Sequence, residues 1–316
     1  MQKGMVVKST GSWYEVISEN GEKFICKIKG NFRIKDIKST NPVAVGDRVE
    51  FTIEKSSQNI TKNTPGWITA VADRKNYIAR RSPNLSKQSH IIAANIDQTI
   101  LVATIVKPVT TTIFIDRYLA SAVAYRIPAV LVFNKTDIYS QEEKDKLQSI
   151  ITVYENIGYP CIKTSATMNI GIDKLKNVLK DKINVISGHS GVGKSSLINL
   201  INPNLNLKTT SISDMHKTGK HTTAHTEMFE LPFGGYIVDT PGIKGFGLLD
   251  MENWEISHYF PEIFKISNNC KYYNCTHTHE PGCAVKEAVE KNEIAQSRYI
   301  SYLGMLEEDD KYRKPH

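Results

Sequence analysis

No stretch of this 316-residue chain offers the ~20 consecutive apolar residues needed to cross a bilayer, and its start, MQKGMVVKST, lacks the apolar core of a signal peptide. These absences make a cytoplasmic protein with no membrane partner the expectation. Cysteine is sparse and odd in number: of five, Cys270, Cys275 and Cys283 crowd together with His277 and His279 among them. In a reducing compartment such crowding indicates a metal rather than disulfides. Cys26 and Cys161 lie in apolar, strand-like runs and read as inert core residues. No internal repeat and no low-complexity segment occurs, and nothing in the chain suggests an oligomer, so a monomer is expected.

Length exceeds the usual size of one hydrophobic core, which points to two or three domains. The formal charge of +7 is uneven, because residues 1–90 hold sixteen Lys or Arg against eight Asp or Glu. A positive N-terminal part attached to a near-neutral remainder suits a polyanionic partner, of which nucleic acid is the commonest; an ordinary solvated surface is the plainer alternative.

Residues 1–72 contain five short strand-like runs (GMVVKS, WYEVIS, EKFICKIKG, RVEFTIE, GWITAVAD). Asn20 and Gly21 between alternating runs signal a hairpin. The count and spacing fit an OB-type β-barrel, a fold often used to bind RNA, although periodicity alone also allows an SH3-like barrel. Lys55 to Pro65 reads as a polar loop, and residues 73–90 as a basic linker. From residue 91 to 248 strands alternate with helices, the pattern of a parallel sheet covered on both faces. Residues 249–316 read as a mostly helical segment too small for a large core, which a metal would stabilise.

The motifs of the α/β segment stand in an unusual order. Gly188, His189, Ser190, Gly191, Val192, Gly193, Lys194 and Ser195 follow an apolar strand and open a helix, the context a phosphate loop requires. Its glycines let backbone N–H groups approach phosphates, Lys194 reaches the β and γ oxygens, and the Ser195 hydroxyl ligates Mg²⁺. Ahead of this loop in the chain come Asn134, Lys135, Thr136 and Asp137 at a strand end. A carboxylate at Asp137 accepts both hydrogen bonds from guanine N1–H and the exocyclic amine, which adenine cannot offer. Lys135 would lie along the base, Asn134 would brace the loops, and the backbone at Ser165, Ala166 and Thr167 would meet the guanine oxygen. Behind the loop, Asp239 ends a strand and would hold Mg²⁺ through water, with the Gly242 N–H on the γ-phosphate. Ordinary GTPases begin with the phosphate loop, so this order implies a circularly permuted GTPase domain that binds GTP or GDP with Mg²⁺.

Between phosphate loop and Asp239, Thr222 or Thr223 would ligate Mg²⁺ only while the γ-phosphate is present, which makes this segment the first switch. Ile243 stands where many GTPases place a water-orienting glutamine. Isoleucine cannot orient water, so His221 is the catalytic candidate and His225 the second, against the alternative that His221 is structural or contacts the partner. Slow intrinsic turnover, stimulated by a partner, follows.

Cys270, Cys275, His277 and Cys283 supply three thiolates and one imidazole, a closed set suited to one structural Zn²⁺; His279 is the alternative fourth ligand.

The phosphate loop GHSGVGKSS, the segment GKHTTAHTE, the permuted order and CKYYNCTHTHEPGC together resemble the bacterial ribosome small-subunit-dependent GTPase A family. The resemblance spans nearly the whole chain. It implies an OB-fold domain, a permuted GTPase domain and a zinc-binding helical domain acting in late maturation of the small ribosomal subunit, with its rRNA as partner. Carried over, the family's GTP site falls on Asn134 to Asp137 and Gly188 to Ser196, its zinc ligands on Cys270, Cys275, His277 and Cys283, and its switch histidine on His221. Lys220, where arginine is frequent, and Ala224 with His225, in a commoner run of threonines, depart from the pattern without touching a nucleotide or metal ligand. A nucleotide-gated RNA-binding module in which hydrolysis is incidental is the competing expectation.

Overall fold

The computed structural model describes residues 1–29, 42–53, 65–81, 89–206, 226–239 and 253–312. The chain divides into two compact units and passes between them more than once. The first comprises Met1–Thr99, Leu175–Ile186 and Ile198–Ile243, and the second Ile100–Lys174, Ser187–Leu197 and Lys244–His316.

In the first unit, strands β1 (Gln2–Ser9), β2 (Tyr14–Ser18), β3 (Lys23–Ile28), β4 (Arg48–Ile53) and β5 (Gly66–Val71) close a barrel in the order β1-β2-β3-β5-β4-β1. All pairs are antiparallel except β3 with β5. Alternation drives the closure: Tyr14, Val16, Cys26, Val49, Phe51 and Ile68 all point into one core, and Phe24 packs on Phe51 at 5.3 Å between ring centroids. This is the OB-type barrel expected, with Cys26 in its core. The Asn20–Gly21 turn joins β2 to β3, with Gly21 at φ +81°. Most of the polar stretch after β4 lies outside the described residues.

The turn before β4 is set by Gly46 and Asp47. Gly46 sits at φ +90°, and a Cβ there would lie 2.1 Å from the Ala94 carbonyl oxygen, so a side chain fits neither the angle nor the space. Asp47 is fully buried, and Arg74 neutralises it by donating from Nε and Nη2 at 2.6 Å each. Buried carboxylates persist only when paired in this way. Residues 73–90, read from composition as a linker, include part of a strand pair, β6 (Tyr77–Arg81) with β7 (Ser89–Ala94). The alternating Ile91 and Ala93, both buried, supply its apolar face.

The first unit also holds most of β11 (Ile183–Ser187), with β12 (Thr226–Glu230) and β13 (Tyr236–Asp239). β13 runs parallel to β11 and antiparallel to β12, and β12 pairs with β1 at Lys8 and Ser9. A Lys8–Glu227 ion pair at 2.8 Å crosses that junction.

In the second unit, the end of β8 (Gln98–Ala103), β9 (Ala129–Phe133) and β10 (Cys161–Lys163) form neighbouring strands, fully or largely buried as parallel strands under helices must be. Helices α1 (Thr112–Ala124) and α2 (Gln141–Ile157) follow β8 and β9. α2 starts on a capping box between Ser140 and Glu143 and stops at Gly158 in the left-handed region. Between β10 and β11 comes α3 (Ile172–Leu179), and after β11 α4 (Lys194–Ile201). The C-terminal part is helical: α5 (Asn253–Ile256), α6 (Pro261–Ser267), α7 (Ala284–Glu290) and α8 (Gln296–Tyr312). Ile256, Phe260, Ile263, Val285, Ala288, Tyr302 and Met305 form its core, which Ala120 of α1 joins. Among the described residues no helix is long and apolar enough to cross a membrane.

A buried charge cluster locks α8 to α1. Arg298, 1 % exposed, donates Nη1 to Asp116 at 2.8 Å and its Nε and Nη2 to Glu262 at 2.6 and 3.1 Å. Tyr154 donates its hydroxyl to the same Asp116 oxygen at 2.7 Å. Arg298→Leu leaves two carboxylates without their cation, and is expected to destabilise this unit by about 3–5 kcal/mol. Urea unfolding followed by circular dichroism measures this, and a loss below about 1 kcal/mol would refute it.

Candidate functional site

Buried β11 delivers the chain into the loop Gly188 to Gly193, and α4 begins at Lys194. Gly193 (φ +93°) has no room for a side chain, because a Cβ would lie 2.4 Å from Asn134 Nδ2. That closeness is used: Asn134 donates to the Val192 carbonyl at 2.9 Å and accepts from the Thr164 hydroxyl at 3.1 Å. One buried amide thus ties the phosphate loop, the end of β9 and the end of β10 together. Lys194 folds its ammonium back onto the carbonyls of Gly188 and His189, at 2.7 and 2.6 Å. Burial pushes its pKa down to about 8, and an anionic ligand replacing those carbonyls would raise it again. Burial, then the Lys194 charge, holds His189 below its ordinary value. Ser195 is buried at the start of α4, Ser196 is half-buried, and Ser190 and Gly191 are exposed on the loop.

Lys135 adopts the left-handed conformation (φ +62°) and donates Nζ to the Lys107 carbonyl at 2.7 Å. Thr136 donates both its N–H and its hydroxyl to the Thr164 carbonyl, at 3.1 and 3.0 Å. Asp137 stays exposed, with its carboxylate accepting from the Thr167 hydroxyl at 3.0 Å. The Ser165 hydroxyl contacts Thr167 at 3.0 Å and accepts from the Met168 N–H at 3.1 Å. Hydrogen bonding to Ser165, foremost, and to Thr167 holds the Asp137 carboxyl below the usual range despite some desolvation. An exposed anionic acceptor is therefore held in a fixed orientation, and Ala166, half-buried, stands in the same turn.

Sequence reasoning gave no role to the Thr167 hydroxyl or the Lys107 carbonyl. The first was open to inspection as the last residue of its tripeptide; the second depends on a backbone turn that no side-chain pattern announces. Asp239 ends β13 opposite Glu227. Gly242, His221, Thr222 and Thr223 lie outside the described residues.

In the helical region, Cys270, Cys275, His277 and Cys283 bring one donor atom each within 4.8 Å of one another. His277 Nδ1 lies 3.6 Å from Cys270 Sγ and 3.5 Å from Cys283 Sγ, which are 4.0 Å apart. A tetrahedral cation with S and N bonds of about 2.3 and 2.0 Å requires ligand separations of about 3.5–3.8 Å, which the Cys270, His277 and Cys283 atoms approach. Tyr299 donates to the His277 carbonyl at 2.6 Å and Tyr302 to the Thr276 carbonyl at 2.7 Å, fixing the ligand loop to α8. Glu280 accepts from the Thr276 and Thr278 N–H groups at 2.7 and 3.1 Å. Burial alone would raise Glu280, but the Thr276 hydroxyl and these amides outweigh it and hold the carboxyl at about 2. His279 turns to solvent with Nδ1 on Thr278 at 2.9 Å.

The model of the RsgA GTPase family matches residues 71–249, and that of the RsgA N-terminal domain residues 3–61. The chain belongs to the RsgA GTPase family. It is therefore a GTP hydrolase. It is 59% identical over 313 residues, 98% of this chain and 99% of the relative, to the small ribosomal subunit biogenesis GTPase RsgA 2 of Bacteroides thetaiotaomicron. It is 54% identical to the small ribosomal subunit biogenesis GTPase RsgA of Flavobacterium psychrophilum, over 97% of this chain and 93% of that one. Among solved structures, YjeQ from Thermotoga maritima is similar with a TM-score of 0.79 at 38% identity, covering 97% of this chain and 98% of that one. YloQ, described as a circularly permuted GTPase, is similar with a TM-score of 0.78 at 31% identity, covering 100% of this chain and 97% of that one. RsgA family membership agrees with the permuted order of motifs, the barrel ahead of it and the three-cysteine, one-histidine cluster behind it.

Proposed function

We propose that this GTPase acts in late maturation of the small ribosomal subunit, binding it through rRNA in the GTP form and leaving after hydrolysis to GDP and phosphate. The observation that carries the reading is the Asn134 side chain, which joins the phosphate loop at Val192 to the guanine-reading turns through Thr164. Two loops held by one amide suit a ligand that is a base at one end and a polyphosphate at the other. The names of the relatives, and a positive N-terminal ninety residues, support rRNA of the small subunit as the partner of a monomeric, cytoplasmic protein. The working domains are residues 1–72, a connecting segment 73–90 that carries β6 and the start of β7, the GTPase 91–248 and the zinc-binding part 249–316.

Within the site, Asp137 and the Ser165–Ala166 turn would read guanine, Lys135 would cover the base, and Gly188 to Ser196 with Gly242 would bind the phosphates. Ser195, Asp239 and Thr222 or Thr223 would hold Mg²⁺, which neutralises charge on the transferred phosphoryl group. Cys270, Cys275, His277 and Cys283 would hold one Zn²⁺ as a structural staple. His221 would orient the attacking water, since Ile243 cannot.

GTP and ATP hydrolysis, measured with small subunits and with large ones as control, tests this. Strong GTP-specific stimulation by the small subunit alone is expected, and a loss of that stimulation in His221→Ala; no stimulation by either subunit would sink the reading. Ile243 favours one second reading, a nucleotide-gated RNA binder with incidental hydrolysis. That reading gains if His221→Ala abolishes turnover yet leaves release from the subunit unchanged.

A further inference from the structure

The phosphate loop meets α1 through a pair of rings. Phe114 lies against His189 with ring centroids 3.8 Å apart and planes tilted by 34°. His189 is the second residue of the loop, and its carbonyl, with that of Gly188, holds the Lys194 ammonium. To reach a phosphate that ammonium must exchange these carbonyls for the ligand, while the loop keeps its shape. Three of its residues, Gly188, Gly191 and Gly193, sit at positive φ and carry no side chain to pack, so beyond buried Val192 and the Asn134 bond the loop depends on its neighbours. Helix α1 is one of them. Its N-terminus is capped by Thr111, which accepts from the Phe114 N–H at 3.3 Å. Two residues on, fully buried Asp116 is gripped by Tyr154 and Arg298. One turn further, Ala120 packs into the core of the C-terminal helices. The loop ahead of the helix is tied down as well, with Thr104 donating its hydroxyl to the Pro108 carbonyl at 2.5 Å.

We propose that Phe114 is a positioning residue for GTP and GDP binding: its ring pins His189 to the rigid α1 and so holds the phosphate loop in its phosphate-accepting shape. The inference rests on the nucleotide reading of that loop. Phe114 touches no part of the ligand in this role; it acts through His189. A ring pair of this kind contributes enough to change affinity several-fold without being needed for folding.

The test is titration of the full-length chain with a fluorescent guanosine diphosphate, alongside intrinsic GTP hydrolysis. Phe114→Ala is expected to raise Kd and KM about three- to tenfold while kcat stays within about twofold. Phe114→Tyr, which keeps the ring, is expected to bind as the parent chain does. Ile113→Ala, at a neighbouring position 41% exposed to solvent, controls for the helix and is expected to change nothing. In a double-mutant cycle, adding His189→Ala to Phe114→Ala is expected to cost no more than either change alone, as it must if the two act as a unit. Unchanged affinity in Phe114→Ala, an equal loss in Ile113→Ala, no rescue by Phe114→Tyr, or additive losses in the cycle would each overturn the inference. Failure of the parent chain to bind guanosine diphosphate would instead overturn the nucleotide reading on which it stands.

Discussion

Asp137→Asn is expected to lower affinity for GTP by about 10²- to 10⁴-fold and to make xanthosine triphosphate the better ligand. The carboxylate would accept from two guanine donors, and each bond to a charged acceptor contributes about 1.5–3 kcal/mol. An amide offers one acceptor and one donor, so it leaves guanine's exocyclic amine facing an N–H. Xanthine carries a carbonyl at that position and matches the amide instead. The surrounding turn tolerates the change, because the Thr167 hydroxyl can donate to an amide oxygen as it does to the carboxylate at 3.0 Å. Competition titrations with the two triphosphates measure the switch. GTP affinity within tenfold of the parent chain would show that Asp137 does not read the base.

If the cysteine–histidine cluster holds the metal proposed above, its removal is expected to have the largest effect on the C-terminal part. Cys283 is a member of the four-donor cluster, the residue that caps α7 and part of the helical core. Tyr299 and Tyr302 tie the ligand loop to α8. Without a cation, three sulfurs and an imidazole are left crowded together with no charge to organise them, and apparent binding energies of structural zinc, about 10–16 kcal/mol, exceed the stability of most domains. A strong chelator at moderate temperature, or Cys283→Ser, should therefore melt α7 and loosen α8, seen as lost helical circular dichroism and a lower thermal midpoint. Elemental analysis of the parent chain should find one zinc per molecule. A chain that keeps its helices and midpoint through complete removal of metal would make the cluster dispensable.

Much of the candidate site was legible because its chemistry is local in sequence. A phosphate loop needs its glycines, lysine and serine within eight consecutive residues, and a zinc cluster needs its donors a few residues apart. The barrel strands were equally visible, since runs such as Tyr14–Ser18 and Arg48–Ile53 turn alternate residues inward. The strand pair β6–β7 was not, because the basic, polar run from Arg74 to Ser89 hides its first strand, Tyr77–Arg81.

Sequence alone thus determined the ligand class, the permuted order of the motifs, the four-residue cysteine–histidine cluster and the family, all of which rest on residue types at short, fixed spacing. Only the tertiary structure decided what those residues lean on. Asn134 bonds a loop 58 positions away, Arg298 neutralises an aspartate 182 positions away, and Arg74 reaches back 27 to Asp47. The ring of Phe114 on His189 and the closure of β1 on β4 are of the same kind. Pairs so far apart have no shared periodicity and no spacing rule. They exist because burial forces each polar group and each ring to find a partner, and which partner is within reach is settled only when the chain has folded.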